Sequence, residues 1–512
     1  MNARTEPEVF DTLAALVAVR AAQWPDKPYL LSPDSGNALT FGALAADADT
    51  LGRRYAAAGL GSGQTVSVYL PNGEQTARLL LGTMACGLVV NPINLLCQPA
   101  QLRYILAHSD TRLVFTWPDG EAAIREALRE AGLDVPVIVT APDAGSLPAL
   151  PAMQKAASPL PPPRPDAPAL LMYTSGTTGT PKGVLLTQRN LVTNGANVSR
   201  EHCLGPADRV LATLPLYHIN GLVVTAIAPL VHGGSVVMPM RFSASAFWKD
   251  SARHDCTWLN VVPTIIAYLL NDPHGQAPAG VRFCRSASAA LPPEHHRAFE
   301  ARFGIGVIET MGMTETAAPA FSNPLDPDRR RIGSIGRPSG TRARVLGHDG
   351  MPVADGQVGE IVLQGENVMA GYYKAPDITR EAFTHDGWLR TGDLGYRDAD
   401  GYFYITGRAK ELIIKGGENI APREIDEALL RHPAVLEAAA VGVPDPAYGQ
   451  EIVAYVVMRE AAHCSEDALA ALRAHCLREL GRYKTPKEFR FIAELPRGPS
   501  GKVQRLKLLD HA

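Results

Sequence analysis

The 512-residue chain is poor in aromatic residues (6%) and in charge (20%), and its formal net charge is only −3. That balance provides no basic stripe for a nucleic acid and excludes that class of partner. The seven cysteines (Cys86, Cys97, Cys203, Cys256, Cys284, Cys464 and Cys476) are dispersed, with no Cys-x-x-Cys pair. They read as reduced thiols, neither a disulfide framework nor a zinc site. Met1 to Glu8 lacks the apolar core of a signal peptide, and the terminal Asp-His-Ala is no targeting tripeptide. Leu79 to Leu102 is uncharged, but Asn91, Pro92, Asn94, Gln98 and Pro99 would be costly at mid-bilayer depth. A buried helix followed by a strand and a turn is expected there. No repeat of solenoid length is visible. A cytoplasmic protein without membrane insertion is expected; its oligomeric state is left open.

The chain is too long for one hydrophobic core. Phe10 to Trp24, Ala43 to Ala58 and Gln75 to Ala85 space apolar residues as helices, and Thr65 to Leu70 reads as a strand. This alternation predicts an α/β fold of βαβ-type layered sheets. Ser158 to Pro168 holds six prolines and is read as an extended connector inside that first domain. Helical and strand patterns resume through Asn190 to Asn197, Arg209 to Thr213, Leu222 to Val231, Trp258 to Leu270 and Pro293 to Phe303. From about Ile332 to Tyr404, short strands between Gly and Asp turns predict a β-rich subdomain. A small α+β unit follows, so the domains are expected at 1–407 and 408–512.

The densest chemical signal is Tyr173-Thr-Ser-Gly-Thr-Thr-Gly-Thr-Pro-Lys182-Gly183, with five Ser/Thr hydroxyls, three glycines and one lysine in eleven residues. Glycines let backbone amides approach an anion, hydroxyls donate to its oxygens, and the lysine adds a point charge. The stretch reads as a phosphate cradle of Thr174, Ser175, Gly176, Thr177, Thr178, Gly179, Thr180 and Lys182. Composition alone leaves a polar surface loop equally open. It is not a P-loop of the NTPase type, because Pro181 precedes the lysine and no Ser or Thr follows it.

Eight further motifs follow in order: Leu214-Pro-Leu-Tyr-His218, Gly312-Met-Thr-Glu315, Gly333-Ser-Ile-Gly-Arg-Pro338, Gly359-Glu360-Ile361, Trp388-Leu-Arg-Thr-Gly-Asp393, Gly407-Arg-Ala-Lys410, Lys415-Gly-Gly-Glu-Asn-Ile420 and Pro499-Ser-Gly-Lys-Val-Gln-Arg505. Together they resemble the adenylate-forming superfamily of acyl-CoA synthetases, luciferases and peptide-synthetase adenylation domains, over nearly the whole chain. The resemblance implies that MgATP and a carboxylic acid give an acyl-adenylate and pyrophosphate. The thiol of coenzyme A then takes the acyl group and releases AMP.

By the same resemblance, Glu315 holds Mg²⁺ on the ATP phosphates, Thr177 of the cradle is counted with the catalytic residues, and Asp393 and Arg408 meet the ribose. Adenine lies against Ser288-Ala289-Ala290, where the family more often has Gly-Gly-Ala-Pro, and against Met311-Gly312-Met313-Thr314. Met311 stands where the family usually has a stacking aromatic, which leaves ATP affinity open. His218 lies between the acid and the pantetheine channel, with a satisfied core histidine as the alternative. Lys502 is the lysine that meets the reacting carboxylate and α-phosphate. The small domain rotates about Lys410 between the half-reactions, and Gly416 and Gly417 then leave room for pantetheine.

Met240 to Trp248, Val262 to Ile265, Arg285 to Ala289 and Phe321 to Leu325 resemble short-chain CoA ligases, especially those for oxalate. A small polar or anionic acid such as oxalate is therefore the first expectation. Malonate, sulfoacetate or a cinnamate-type acid are the alternatives; a carrier-protein loader and a non-catalytic nucleotide-binding module are further ones. A second acid charge could be met by Arg285, Ser286 and Ser288, although an internal ion pair for Arg285 is the favoured reading.

Overall fold

Several helices begin where a threonine accepts from the first free amides. Thr12 accepts from the Ala15 amide (3.2 Å) ahead of helix Leu13–Gln23, and Thr40 from Ala43 (3.1 Å) ahead of Phe41–Ala57. Thr187 and Asn190 cap reciprocally ahead of Gln188–Glu201. The computed structural model describes residues 10–151, 160–174, 180–459, 465–497 and 503–511.

The expected alternation builds two large sheets. In the seven-stranded sheet, Val137–Val139, Thr111–Thr116, Thr65–Tyr69, Val89–Pro92 and Pro168–Thr174 run parallel. Lys182–Thr187 and Gly371–Tyr372 complete it antiparallel. In the nine-stranded sheet, Pro28–Leu31, Ser235–Val237, Arg209–Ala212, Trp258–Val261, Phe283–Ser286 and Gly306–Met313 run parallel. Antiparallel strands flank them on both sides. Apolar side chains of both sheets and of the helices Leu13–Gln23, Phe41–Ala57, Glu74–Ala85 and Gln188–Glu201 share one continuous core. Separate cores cover the other face of each sheet.

The uncharged stretch after Leu79 is the end of the buried helix Glu74–Ala85 followed by strand Val89–Pro92. Among the described residues no helix is long and apolar enough to cross a membrane. The described part of the proline-rich segment leads into strand Pro168–Thr174, and Pro165 accepts from the Arg189 amide at 2.9 Å. The described cysteines Cys86, Cys97, Cys203, Cys256, Cys284 and Cys476 are free.

Leu222 to Val231 lies in a π-helix, Asn220–Ile227, that passes into the short α-helix Ala228–His232. Pro229 lacks the amide that an unbroken α-helix would donate to Thr225, and Thr225 instead donates its hydroxyl to Gly221 O (2.6 Å).

The β-rich subdomain is a four-stranded antiparallel sheet of Arg342–Leu346, Gly359–Gln364, Leu389–Arg397 and Phe403–Arg408. The final unit is a five-stranded sheet whose long hairpin pairs Val435–Asp445 with Gly449–Met458. Helices Pro422–Leu430 and Glu466–Lys484 cover one face, and Leu495 and Leu508 the other.

Candidate active site

The phosphate-cradle sequence joins two antiparallel strands, with Thr174 paired to Lys182. The strand after it is therefore antiparallel to the strand before it, whereas a P-loop NTPase passes from strand to helix at this point. Thr180 is exposed and Lys182 half-buried. Ser175, Gly176, Thr177, Thr178 and Gly179 lie outside the described residues.

Lys182 faces a residue that the sequence reading passed over. Its Nζ sits 5.3 Å from the centre of the Tyr372 ring, and the Tyr372 hydroxyl donates to Glu315 Oε1 at 2.9 Å. Tyr372 thus stands between the cradle lysine and the carboxylate, orienting both. Burial, then the neighbouring Glu315 charge, pushes the Tyr372 phenol up, so it stays a donor. Its place comes from pairing Gly371–Tyr372 onto strand Lys182–Thr187, which no local motif announces. Glu315 lies in a single turn, Thr314–Thr316, and its backbone oxygen accepts from the Met369 amide at 2.7 Å. Gly312 permits the approach: a Cβ there would meet Ala318 O at 2.1 Å. Among the described residues no three His, Cys, Asp or Glu side chains form a metal cluster. One oriented carboxylate suits Mg²⁺ shared with nucleotide phosphates, which keeps much of its water shell.

Asp393 is buried and Arg408 exposed, and Arg408 Nε reaches Asp393 Oδ1 at 2.9 Å. They face each other across the pair Leu389–Arg397 and Phe403–Arg408. The Asp393 amide donates to Thr391 Oγ1 (3.0 Å), which fixes the turn. Lys410 follows in the turn Ala409–Glu411, exposed at the end of that sheet.

Of the small-residue loop, Ser288 is half-buried and Ala289 and Ala290 are exposed. Ser288 holds φ +74°, a left-handed conformation that costs a non-glycine residue about 1–2 kcal/mol. The loop therefore keeps a glycine-like shape without the glycine. Met311 is half-buried against the β-rich core and pairs with Phe321; Met313 and Thr314 are also half-buried.

His218 precedes the π-helix and its backbone oxygen accepts from the Leu222 amide at 2.9 Å. Buried Asn72 clamps the approach, donating to Leu214 O (3.0 Å) and accepting from the Leu216 amide (2.9 Å). The His218 ring lies 4.9 Å from that of Tyr217 and is half-buried, so it is no sealed core histidine.

Arg285 departs from expectation. It is 1% exposed, and its hydrogen-bond acceptors are amides: Nη1 donates to Asn220 Oδ1 and to Asn260 Oδ1, each at 2.7 Å. No carboxylate pairs with it among the described residues. The nearby carboxylate on the adjacent strand, Glu309, aligns with Ser286 and so points to the opposite face of the sheet. The favoured ion-pair reading is therefore wrong. Asn220 and Asn260 were also missed, because single asparagines far apart in sequence carry no signal.

Gly416 (φ +55°) and Gly417 (φ +85°) form the two-residue turn of the hairpin in which Lys415 pairs with Glu418. A type I′ turn needs positive φ at both positions, which accounts for both glycines by backbone geometry. Lys502 lies outside the described residues.

The AMP-binding enzyme family matches residues 17–373, and the AMP-binding enzyme C-terminal domain matches residues 424–502. The chain is 94% identical, over all of both sequences, to the sulfoacetate–CoA ligase of Cupriavidus necator. It is 35% identical to the oxalate–CoA ligase of Arabidopsis thaliana, covering 98% of each. The crystal structure of ATP-bound MatB from Rhodopseudomonas palustris superimposes with a TM-score of 0.87 at 31% identity, over 97% of this chain and 98% of that one. The chain therefore belongs to the AMP-binding enzyme family, as an AMP-forming acid–CoA ligase that consumes ATP and coenzyme A.

Proposed function

We propose that the acid is sulfoacetate, converted through sulfoacetyl-adenylate to sulfoacetyl-CoA with release of pyrophosphate and AMP. The 94% identity along the full chain carries this reading. Oxalate, the first expectation from sequence, gives way to it, because the oxalate–CoA ligase of Arabidopsis thaliana is only 35% identical. The site chemistry is compatible: among the described residues no carboxylate pairs with Arg285, whose acceptors are Asn220 and Asn260.

In this reading the segment from Thr174 to Lys182, including Ser175, Gly176, Thr177, Thr178, Gly179 and Thr180, holds the β- and γ-phosphates. Lys182 adds its charge from above Tyr372. Glu315 would hold Mg²⁺, whose charge would offset that of the phosphates. Asp393 and Arg408 hold the ribose. Ser288, Ala289, Ala290 and the Met311 to Thr314 strand end flank adenine. His218 orients the acid. Lys502 meets the carboxylate and α-phosphate oxygens, where charge grows as the acyl–phosphate bond forms. The unit from 408 onward turns about Lys410 between half-reactions and brings Gly416 and Gly417 to the pantetheine arm. Free thiols in a chain of balanced charge support a cytoplasmic setting.

AMP release should be measured with sulfoacetate, oxalate, malonate, short fatty acids and cinnamates, with CoA as acceptor. Sulfoacetate should lead by about tenfold or more in kcat/KM, a gap of about 1.4 kcal/mol in transition-state binding. Oxalate or malonate ahead of it would overturn the assignment. Lys410→Pro should slow thioester formation about tenfold more than adenylation, because it freezes φ at the pivot. Equal effects on the two partial reactions would remove Lys410 as hinge.

A further inference from the structure

A buried arginine with no counter-ion among the described residues needs an explanation, because burying an ionised group costs several kcal/mol unless something compensates it. Arg285 has two neutral amide oxygens, and its Nε finds no acceptor among the described residues. The ring of His202 stacks on Phe283, two residues before Arg285, and burial and then the Arg285 charge push that imidazole down to about 3. It is neutral and supplies no anion.

The geometry shows where the charge is directed. A guanidinium has donors only, so Asn220 must turn its oxygen toward Arg285. That oxygen also receives Asn260 Nδ2 at 3.4 Å, which leaves the Asn220 amide group no freedom to flip. Its NH₂ consequently faces away from the arginine, toward Ser288, whose Oγ lies 3.3 Å away in the half-buried loop. A serine oxygen that accepts from Asn220 has its own proton free to donate onward.

We infer that Arg285 is a positioning residue for acid specificity: through Asn220 it fixes and polarises donors that face a second anionic group on the acid, such as a sulfonate. The inference rests on the reading that the substrate carries such a group. Arg285 does not touch the acid; Asn220 and Ser288 present the hydrogens. Burial pulls the Arg285 guanidinium down to about 9, which still leaves it protonated at neutral pH. The same burial makes the residue a burden on folding, the pattern expected where function outweighs stability.

The test uses the full-length enzyme with MgATP, CoA and sulfoacetate. Arg285→Met should raise KM for sulfoacetate about 10- to 100-fold, with KM for ATP and kcat at saturating acid within about threefold of the parent. Its Tm should hold or rise. Arg285→Lys, which keeps the charge without the fork, should fall between the two and serves alone if the methionine variant does not fold. Adding Asn220→Ala to Arg285→Met should change KM for sulfoacetate by less than about threefold, since the two act as one unit. Proportional loss toward ATP and acid, or additive effects in the double variant, would overturn the positioning role. If the parent enzyme itself prefers acids without a second charge, the sulfoacetate assignment fails and the role falls with it, a result visible before any variant is made.

Discussion

Replacing Lys502 with alanine should lower adenylate formation by about 10²–10³-fold and leave thioester formation from supplied acyl-adenylate within about threefold. In the first half-reaction a carboxylate attacks the α-phosphorus, and negative charge accumulates on oxygens that water no longer screens. A preorganised ammonium there is worth about 3–4 kcal/mol, comparable to one oxyanion-hole donor. In the second half-reaction the acyl-adenylate already exists and the thiol attacks the acyl carbon, so the same ammonium has little to stabilise. Acid-dependent ATP–pyrophosphate exchange reads the first step, and CoA consumption with synthetic acyl-adenylate reads the second. Equal loss in both would refute the division of labour.

Glu315→Gln should reduce kcat/KM for ATP by about 10²-fold and raise the Mg²⁺ concentration for half-maximal rate by about tenfold. The substitution isolates charge from shape. Glutamine keeps an oxygen that can accept from the Tyr372 hydroxyl, and the backbone bond from Met369 is untouched. The fold should therefore be unchanged, while a neutral amide is a poor partner for a hard cation. Tyr372→Phe is the control, because it leaves the carboxylate and removes only its orienting donor. One hydrogen bond to a charged group is worth about 1.5–3 kcal/mol, an upper bound here because water can replace the phenol. A loss of about tenfold without a shifted Mg²⁺ requirement is expected. If Glu315→Gln alters neither Mg²⁺ requirement nor rate, the carboxylate is only a partner for Tyr372 and the metal assignment fails.

The order of elements was readable because period and punctuation agree locally. Phe41–Ala57 and Glu74–Ala85 fall within two residues of their expected spans, since the Thr40 cap of the first and the glycines that flank both are short-range signals. The π-helix at Asn220–Ile227 was not readable as such. Its residues are all buried, so no polar face marks the period, and the missing Pro229 amide acts only once the segment is packed. Met311 shows the converse: the sequence exposes its departure from the family pattern, but its consequence for adenine depends on bound ATP.

The sequence by itself determined the chemistry. Hydroxyls and glycines around Lys182 suggest a phosphate site, and the ordered motifs holding His218, Glu315, Asp393, Arg408 and Lys502 carry the resemblance to adenylate-forming enzymes, because short motifs are legible as residue types in a fixed order along the chain. Only the tertiary structure decided what surrounds those groups. Tyr372 meets Glu315 because one short strand adds to the edge of the seven-stranded sheet. Arg285 meets Asn220 and Asn260 because parallel strands and the π-helix converge there, while strand alternation turns Glu309 to the other face. Whether a buried charge is neutralised within the protein or kept for a ligand depends on side chains distant in sequence, and no local pattern encodes that distance.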